Sequence, residues 1–239
     1  MFLSGINFTL LLLMFNGKIK KFIHDAELKF YFWCVSFFTI FIAVWLHQTS
    51  SMEIEEAFRK SLFQVISLQT STGFATADYM LWPSILWGCL VIVMIIGACA
   101  GSTGGGIKVS RVLILFKAIR KELSMMIHPR MVKKIKMDGH NLSHETLRST
   151  NVYMTAYFIV LFVSLLIVCL DEYDLSTNFT AVLATLNNIG PGLELVGPTQ
   201  NFALFSPLSK CVLMFDMLAG RLELFPMLVI LLPSCWKKY

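Results

Sequence analysis

Thr70-Ser71-Thr72-Gly73-Phe74 and Asn187-Asn188-Ile189-Gly190-Pro191-Gly192 are the two stretches that decide the fold of this protein. Each stretch follows a short apolar segment with helical character and precedes a long apolar run. Non-helical backbone at membrane depth is tolerated only where it is buried in protein or lines a watery cavity. Glycine lets successive carbonyls turn one way, and rings of carbonyls replace the hydration shell of an ion in potassium filters. The two stretches therefore predict half of an ion-conducting pore.

The composition of the chain excludes an ordinary soluble domain. Of the 239 residues, 56% are hydrophobic and 15% are charged, with a mean hydropathy of +0.69, whereas soluble domains carry about 25% charged residues. The stretch from Lys117 to Arg148 holds eight Lys and Arg residues, and none lies between Arg148 and Lys210. Cations gathered in one loop follow the positive-inside rule of membrane proteins, so we expect no nucleic-acid partner.

Apolar runs and charged loops predict an all-α integral membrane protein with two helix–pore helix–helix repeats and re-entrant filter loops, half of a four-repeat pore. The run at 3–15 is too short to span a bilayer and predicts the last turns of a preceding helix, followed by a cytoplasmic linker. The later predicted segments are a spanning helix at 30–47, a re-entrant helix at 54–69, a glycine-interrupted helix at 83–119, a basic cytoplasmic stretch at 120–148, a spanning helix at 151–170, a short helix at 176–186 and a final helix at 202–236.

The two filter-like stretches supply the candidate ion ligands through their backbone carbonyls. Either stretch alone also fits an ordinary surface turn. Setting Gly73 opposite Gly190 aligns Leu62 with Phe179, and this correspondence favours a repeat. The candidate ion-binding residues are Thr70, Ser71, Thr72, Gly73, Phe74, Asn187, Asn188, Ile189 and Gly190.

A glycine-rich run from Gly97 to Lys108 interrupts the predicted helix at 83–119. Gly101 and Gly106 have the spacing of a phosphate-binding loop, but Ile107 stands where that motif requires lysine, so nucleotide binding is disfavoured. Glycines in mid-membrane break a helix and provide a mobile element whose backbone needs other partners. The candidate gating-loop residues are Gly97, Gly101, Ser102, Thr103, Gly104, Gly105, Gly106 and Lys108.

Three charged residues lie close together near the middle of the final predicted helix: Asp216, Arg221 and Glu223. Charges at membrane depth are costly and usually face a bundle interior or a cavity. Two interpretations stay open, a buried structural ion network and a pore position for Arg221 as an electrostatic barrier. No set of nucleophile, base and acid and no metal-ligand cluster is apparent, which argues against an enzyme.

The motifs together resemble the C-terminal half of the Trk/Ktr/HKT superfamily of potassium transporters, most closely the TrkH type. Residues 70–74 and 187–193 are similar to the third and fourth filter segments of that family. Residues 97–108 are similar to its intramembrane gating loop, and 217–223 to the segment whose arginine, here Arg221, enters the pore. The resemblance covers essentially the whole sequence.

The resemblance implies potassium uptake through a channel-like pore by a multi-pass protein of the cell inner membrane. K⁺ would be the transported ion, held by filter carbonyls, and no covalently bound cofactor is implied. A homodimer and a cytoplasmic RCK-type nucleotide-binding regulatory subunit, TrkA-like, are the implied partners. The basic stretch 120–148 is a candidate docking surface for that subunit, and attraction to membrane phospholipid would explain its charge equally well.

The resemblance also divides the chain into three parts. Residues 1–29 would be the end of a second-repeat helix with its linker, 30–148 the third pore repeat, and 149–239 the fourth. We expect the missing N-terminal half to come from a separate chain, and we do not expect these two repeats to conduct ions alone. Two alternatives stay open: a Na⁺ or unselective cation pathway, and a non-transporting membrane fragment or scaffold.

Overall fold

The protein, seen here in a computed structural model, is built mainly from helices. The structure describes residues 1–50, 52–128, 134–222, 224–230 and 236. In chain order, the elements are α1 (Phe8–Phe15), α2 (Ile19–His24), α3 (Ala26–Ser50), α4 (Ile54–Gln69), α5 (Ser84–Ile95), α6 (Val109–Ile127), β1 (Lys136–Met137), β2 (His140–Asn141), α7 (His144–Val168), α8 (Leu175–Leu186), α9 (Pro207–Arg221) and α10 (Leu224–Ile230). The two strands form an antiparallel hairpin.

Two groups of helices build most of the core. The long helix α3 packs along α4, and α8 packs against both α7 and α9. Tyr31, Ile42 and Leu46 of α3 are fully buried, as is Leu183 of α8. The short helices α4 and α8 are thereby held inside the molecule, each with its C-terminal end leading into one of the two glycine-containing stretches.

Two helical segments, Ala26–Ser50 and His144–Asp171, are long and apolar enough to cross a membrane. Large apolar side chains on both remain exposed, among them Trp33 at 58% and Leu166 at 71%. Such a surface would be costly in water but suits lipid or another apolar helix, since large exposed apolar patches mark membrane or protein contacts.

The prediction of one helix over residues 3–15 is wrong. Phe2–Gly5 form a 3-10 turn, Ile6 is extended, and α1 begins only at Phe8. The cause is Asn7, whose Oδ1 accepts a hydrogen bond from the Thr9 amide at 2.8 Å. This contact caps the helix and fixes its first residue.

The prediction of one final helix over 202–236 is also wrong. Ser206 caps α9 by accepting from the Ser209 amide at 3.3 Å, and Pro207 occupies the first turn, where its missing N–H costs nothing. The helix ends at Arg221, and α10 follows from Leu224. Residues 223, 231–235 and 237–239 lie outside the described residues, so the position of Glu223 within the final segment stays a prediction.

The glycine-rich run separates two helices, as its composition indicates. Helix α5 ends at Ile95 and α6 starts at Val109, with the loop between them. Helix α6 continues to Ile127, so the first part of the basic stretch is helical. The hairpin that follows turns at Asp138 and Gly139, which have φ of 49° and 82°, the backbone that an Asp-Gly turn adopts readily. Arg130 and Lys133 lie outside the described residues.

Candidate functional site

The two glycine-containing stretches leave their helices with matching backbone conformations. Ser71 and Asn188 have φ of 52° and 53°, and Gly73 and Gly190 have φ of 77° and 110°. Left-handed backbone costs a residue other than glycine about 1–2 kcal/mol. The same unfavourable conformation at Ser71 and Asn188 therefore requires the same support from surrounding structure in both stretches.

Hydrogen bonds at the ends of α4 and α8 give that support. The Thr72 amide donates to the Ser67 carbonyl at 2.9 Å, and the Ile189 amide donates to the Ala184 carbonyl at 2.8 Å. Each bond closes a helix end over a left-handed residue, as in a Schellman motif. The helix C-termini, which carry the negative end of the helix dipole, thus face the start of each stretch.

The carbonyls after these helix ends have no protein partner within the described residues. The backbone oxygens of 70–73 and 187–190 accept no hydrogen bond from that part of the chain, whereas the Phe74 oxygen accepts from Ser67 Oγ at 2.6 Å. Buried backbone groups in proteins are nearly always paired. The oxygens left free in these two matching segments are therefore available to a cation or to water.

The two stretches meet each other. A Cβ placed on Gly73 would lie less than 3.0 Å from the Ile189 carbonyl oxygen, a separation that real side chains do not adopt. Both stretches also line one cavity of about 690 Å³, beside α9. The lining residues from the two stretches are Ser71, Thr72, Asn188, Ile189 and Gly190. The fold thus brings together candidates that lie far apart in sequence.

Thr70 and Phe74 bound the first stretch. Thr70 is buried, and its Oγ1 donates to the Ile66 carbonyl at 2.7 Å and lies 2.8 Å from Thr72 Oγ1. Phe74 is 69% exposed. The Thr70 side chain therefore braces the turn, and the Phe74 ring lies at the surface of the described chain.

The glycine-rich loop lies directly against the start of both stretches. The Gly105 amide donates to Ser71 Oγ at 3.1 Å. A Cβ on Gly105 would overlap the Asn187 carbonyl, and a Cβ on Gly106 would lie 2.5 Å from Asn187 Oδ1. A Cβ on Gly104 would lie 3.6 Å from the Thr70 carbonyl oxygen. Glycine is required at Gly105 and Gly106 because any side chain there would push the loop away from the second stretch.

Hydrogen bonds within the glycine-rich loop hold its shape. The Gly97 amide donates to the Ile107 carbonyl at 2.9 Å, which joins the two arms. Ser102 Oγ donates to the Cys99 carbonyl at 2.6 Å, and Lys108 Nζ donates to the Gly104 carbonyl. Gly101, with φ of 68°, lies in the turn between Cys99 and Ser102.

Arg221 contacts the glycine-rich loop, whereas Asp216 forms its hydrogen bond with a residue of α7. Arg221 Nη1 donates to the Thr103 carbonyl at 2.7 Å, and the side chain is exposed. Asp216 is fully buried and accepts from Ser164 Oγ at 2.7 Å. The two charges therefore have different partners, and no ion pair joins Arg221 to Asp216 among the described residues.

Glu27 is a functional candidate that sequence reasoning missed. The residue is 6% exposed, and its Oε1 accepts from the Ala100 amide at 2.6 Å and from the Ser110 amide at 3.1 Å. It thus holds one arm of the loop and also caps α6, where an anion is favourable. The sequence feature that could have identified Glu27 is a glutamate at the edge of an apolar spanning segment.

Replacement of Glu27 by alanine is expected to loosen the loop and lower the stability of the protein. The change leaves two amide groups without their acceptor, at a cost of about 1–3 kcal/mol for each one that stays buried. Glu27→Gln keeps an oxygen acceptor and should have a smaller effect. The midpoint of thermal unfolding in detergent, followed by tryptophan fluorescence, measures this order. Exposed Glu122→Ala on α6 is the control, and equal midpoints for both alanine variants would contradict the assignment.

Three further residues tie the second stretch in place. Tyr157 Oη donates to Asn187 Oδ1 at 3.0 Å, and Asn188 Nδ2 donates to the Met217 carbonyl at 2.9 Å. Gly220 of α9 approaches the Leu186 carbonyl so closely that a Cβ would overlap it. None of these contacts has a sequence signature, because the partners come from separate helices.

Comparison with known proteins gives a consistent result over nearly the whole chain. The family model TrkH, described as a cation transport protein, matches residues 1–237. The Trk system potassium uptake protein TrkH of Escherichia coli strain K12 is 37% identical over 99% of this chain and 49% of its own length. TrkG from the same strain is 30% identical over 98% of this chain and 48% of its own length.

A solved structure agrees with these matches. The crystal structure of the potassium transporter TrkH from Vibrio parahaemolyticus superposes with a TM-score of 0.88 at 34% identity, covering 99% of this chain and 51% of that one. The chain spans about half the length of the curated relatives it matches.

Proposed function

Because the chain belongs to the TrkH family of cation transport proteins, we propose that it forms half of a channel-like pore for K⁺ uptake across the cell membrane. The match confirms the family resemblance and indicates that the chain is a membrane protein. The relatives are named as potassium uptake proteins, not as enzymes. In this proposal the chain is the C-terminal half of the pore subunit.

The observation that carries the proposal is the set of carbonyls at 70–73 and 187–190 that have no hydrogen-bond partner among the described residues, in two stretches that line one cavity. Carbonyl oxygens can replace the water around a dehydrated K⁺. Helices α4 and α8 act as pore helices, because each aims its negative C-terminal end at the cation. The chain then contains two helix–pore helix–helix repeats, and a ring of four filter segments needs two more.

The glycine-rich loop 97–108 acts as the gate in this proposal. It lies against Ser71 and Asn187, where each filter segment begins. Arg221 holds the loop through the Thr103 carbonyl, and it also places a positive charge on the cation path. Breaking that contact would free the loop to move and would change the electrostatic barrier at the same time.

The proposal also includes the membrane location of the pore and its partner proteins. The chain would be a multi-pass protein of the inner membrane, working as a homodimer of complete pore subunits with a TrkA-like cytoplasmic regulatory subunit. The other half of the filter would come from a separate chain or a preceding segment. K⁺ is the transported ion and needs no other cofactor in this scheme.

Growth on low external K⁺ tests the proposal in cells that lack their own uptake systems. The chain would be expressed alone and together with the coding sequence immediately upstream. Rescue only with the upstream sequence supports half of a split filter, and uptake of Rb⁺ but not Na⁺ supports K⁺ selectivity. Failure of both, with the protein present in the membrane, would favour a non-transporting scaffold. Rescue by the chain alone would contradict the need for a second half.

A further inference from the structure

Helix α6 and the hairpin β1–β2 border an open cationic cavity that the pore proposal does not use. The cavity has a volume of about 690 Å³. Among the described residues, five cationic side chains contribute to its lining and no acidic residue does: Lys117, Arg120, Lys121, Lys134 and Lys136. Like charges gathered around one space repel one another unless an anion joins them.

The cavity has defined walls. Lys117 Nζ donates to the Lys136 carbonyl at 2.9 Å, which ties α6 to the hairpin. The hairpin is also tied to α3, because the Ala26 amide donates to Asp138 Oδ1 at 2.9 Å. The Asp138 carboxylate is thereby engaged by α3. Within the described ranges, none of the five cations forms an ion pair with a carboxylate.

An apolar stripe runs along α6 beside these cations. Its members recur every three or four residues and therefore share one helix face. They are all more than half exposed: Phe116 at 58%, Ile119 at 56%, Leu123 at 56%, Met126 at 76% and Ile127 at 73%. The cations Lys117, Arg120 and Lys121 occupy the neighbouring face. A helix with one exposed apolar face and one cationic face is typical of a membrane interface.

We propose that the cavity binds the phosphate headgroup of an anionic phospholipid, with the acyl chains lying against the apolar stripe of α6. The five cations supply the charge and the hydrogen-bond donors for the phosphate oxygens. The stripe favours a lipid over a soluble phosphate, because a soluble anion would leave those large apolar side chains uncovered. The site does not depend on ion conduction, so it can be tested separately from the proposed pore.

Native mass spectrometry of the full chain in detergent with added phosphatidylglycerol or phosphatidylethanolamine tests the proposal. The variant Lys117→Gln/Arg120→Gln/Lys121→Gln should retain less phosphatidylglycerol. We expect a loss of affinity of about fivefold for each cation removed, the contribution of one Lys or Arg near an anionic surface. Lys18→Gln/Lys20→Gln/Lys21→Gln is the matched control, because it removes the same charge from exposed positions outside the cavity. That control should bind phosphatidylglycerol like the unmodified chain.

Three further measurements distinguish an anionic lipid from other anionic ligands. Ile119→Ser/Leu123→Ser should also weaken phosphatidylglycerol retention, because the acyl chains lose apolar contact. Equal losses in both charge-removal variants would mean nonspecific charge attraction and would overturn the proposal. Retention unchanged by the serine substitutions, with full displacement by inorganic phosphate, would assign the cavity to a soluble anion. Tighter binding of polyglutamate than of phosphatidylglycerol would make it a docking surface for an acidic protein. Either result would refute a lipid site.

Discussion

Replacement of Gly73 by alanine is expected to reduce cation flux by about tenfold or more in cells that make the complete pore. Two effects combine at this position. The φ of 77° costs an alanine about 1–2 kcal/mol, and the new Cβ would overlap the Ile189 carbonyl. The first stretch must then move away from the second, so carbonyls from both can no longer face one ion. Uptake of Rb⁺ into cells without other K⁺ uptake systems measures the effect.

Alanine substitutions at two other glycines provide comparisons for this experiment. Gly88 lies in helix α5, and a Cβ added there would have no neighbouring atom within 4 Å in the described chain, so Gly88→Ala should leave flux unchanged. Gly190 has φ of 110°, but a Cβ added there would also meet no described atom within 4 Å, and Gly190→Ala should have an intermediate effect from backbone strain alone. The filter assignment requires normal amounts of each variant in the membrane. Full Rb⁺ uptake by Gly73→Ala at normal abundance would refute it and would favour the scaffold alternative.

Replacement of Gly220 by alanine is expected to have a comparably large effect, on stability as well as on flux. A Cβ at this position would overlap the Leu186 carbonyl at the end of α8 and would lie 2.7 Å from Asn188 Nδ2. Helix α9 would have to shift, and the hydrogen bond from Asn188 to the Met217 carbonyl would be lost. Overpacking of this kind costs about 1–3 kcal/mol. A lower midpoint of thermal unfolding, together with reduced Rb⁺ uptake, is the expected result.

Cys211→Ala is the control for this substitution, because Cys211 is exposed on the same helix. It should change neither the unfolding midpoint nor the uptake. If Gly220→Ala unfolds at the same temperature as the Cys211 variant and transports normally, then close packing of α9 on the second stretch is not needed. The proposed pore would then have to be supported without this contact.

Local features of the sequence predicted the helices well and their ends poorly. Long apolar runs marked α3 and α7, and glycines marked the break between α5 and α6. The ends at Asn7 and Ser206 were missed because a cap depends on one side-chain hydrogen bond inside an otherwise apolar run. The hairpin at Asp138-Gly139 was also missed, although its turn residues carry a recognisable signal.

The sequence by itself determined the membrane class, the family, the two glycine-containing stretches and the loop that interrupts the third segment. Composition, apolar run length and backbone-permissive glycines act locally, so they can be recognised without coordinates. Only the tertiary structure decided that Gly73 meets Ile189, that Gly105 lies on Asn187, that Arg221 holds Thr103, and that Glu27 caps α6. These contacts join segments far apart in the chain, and their geometry depends on how whole helices pack, which leaves no periodic signal in the sequence.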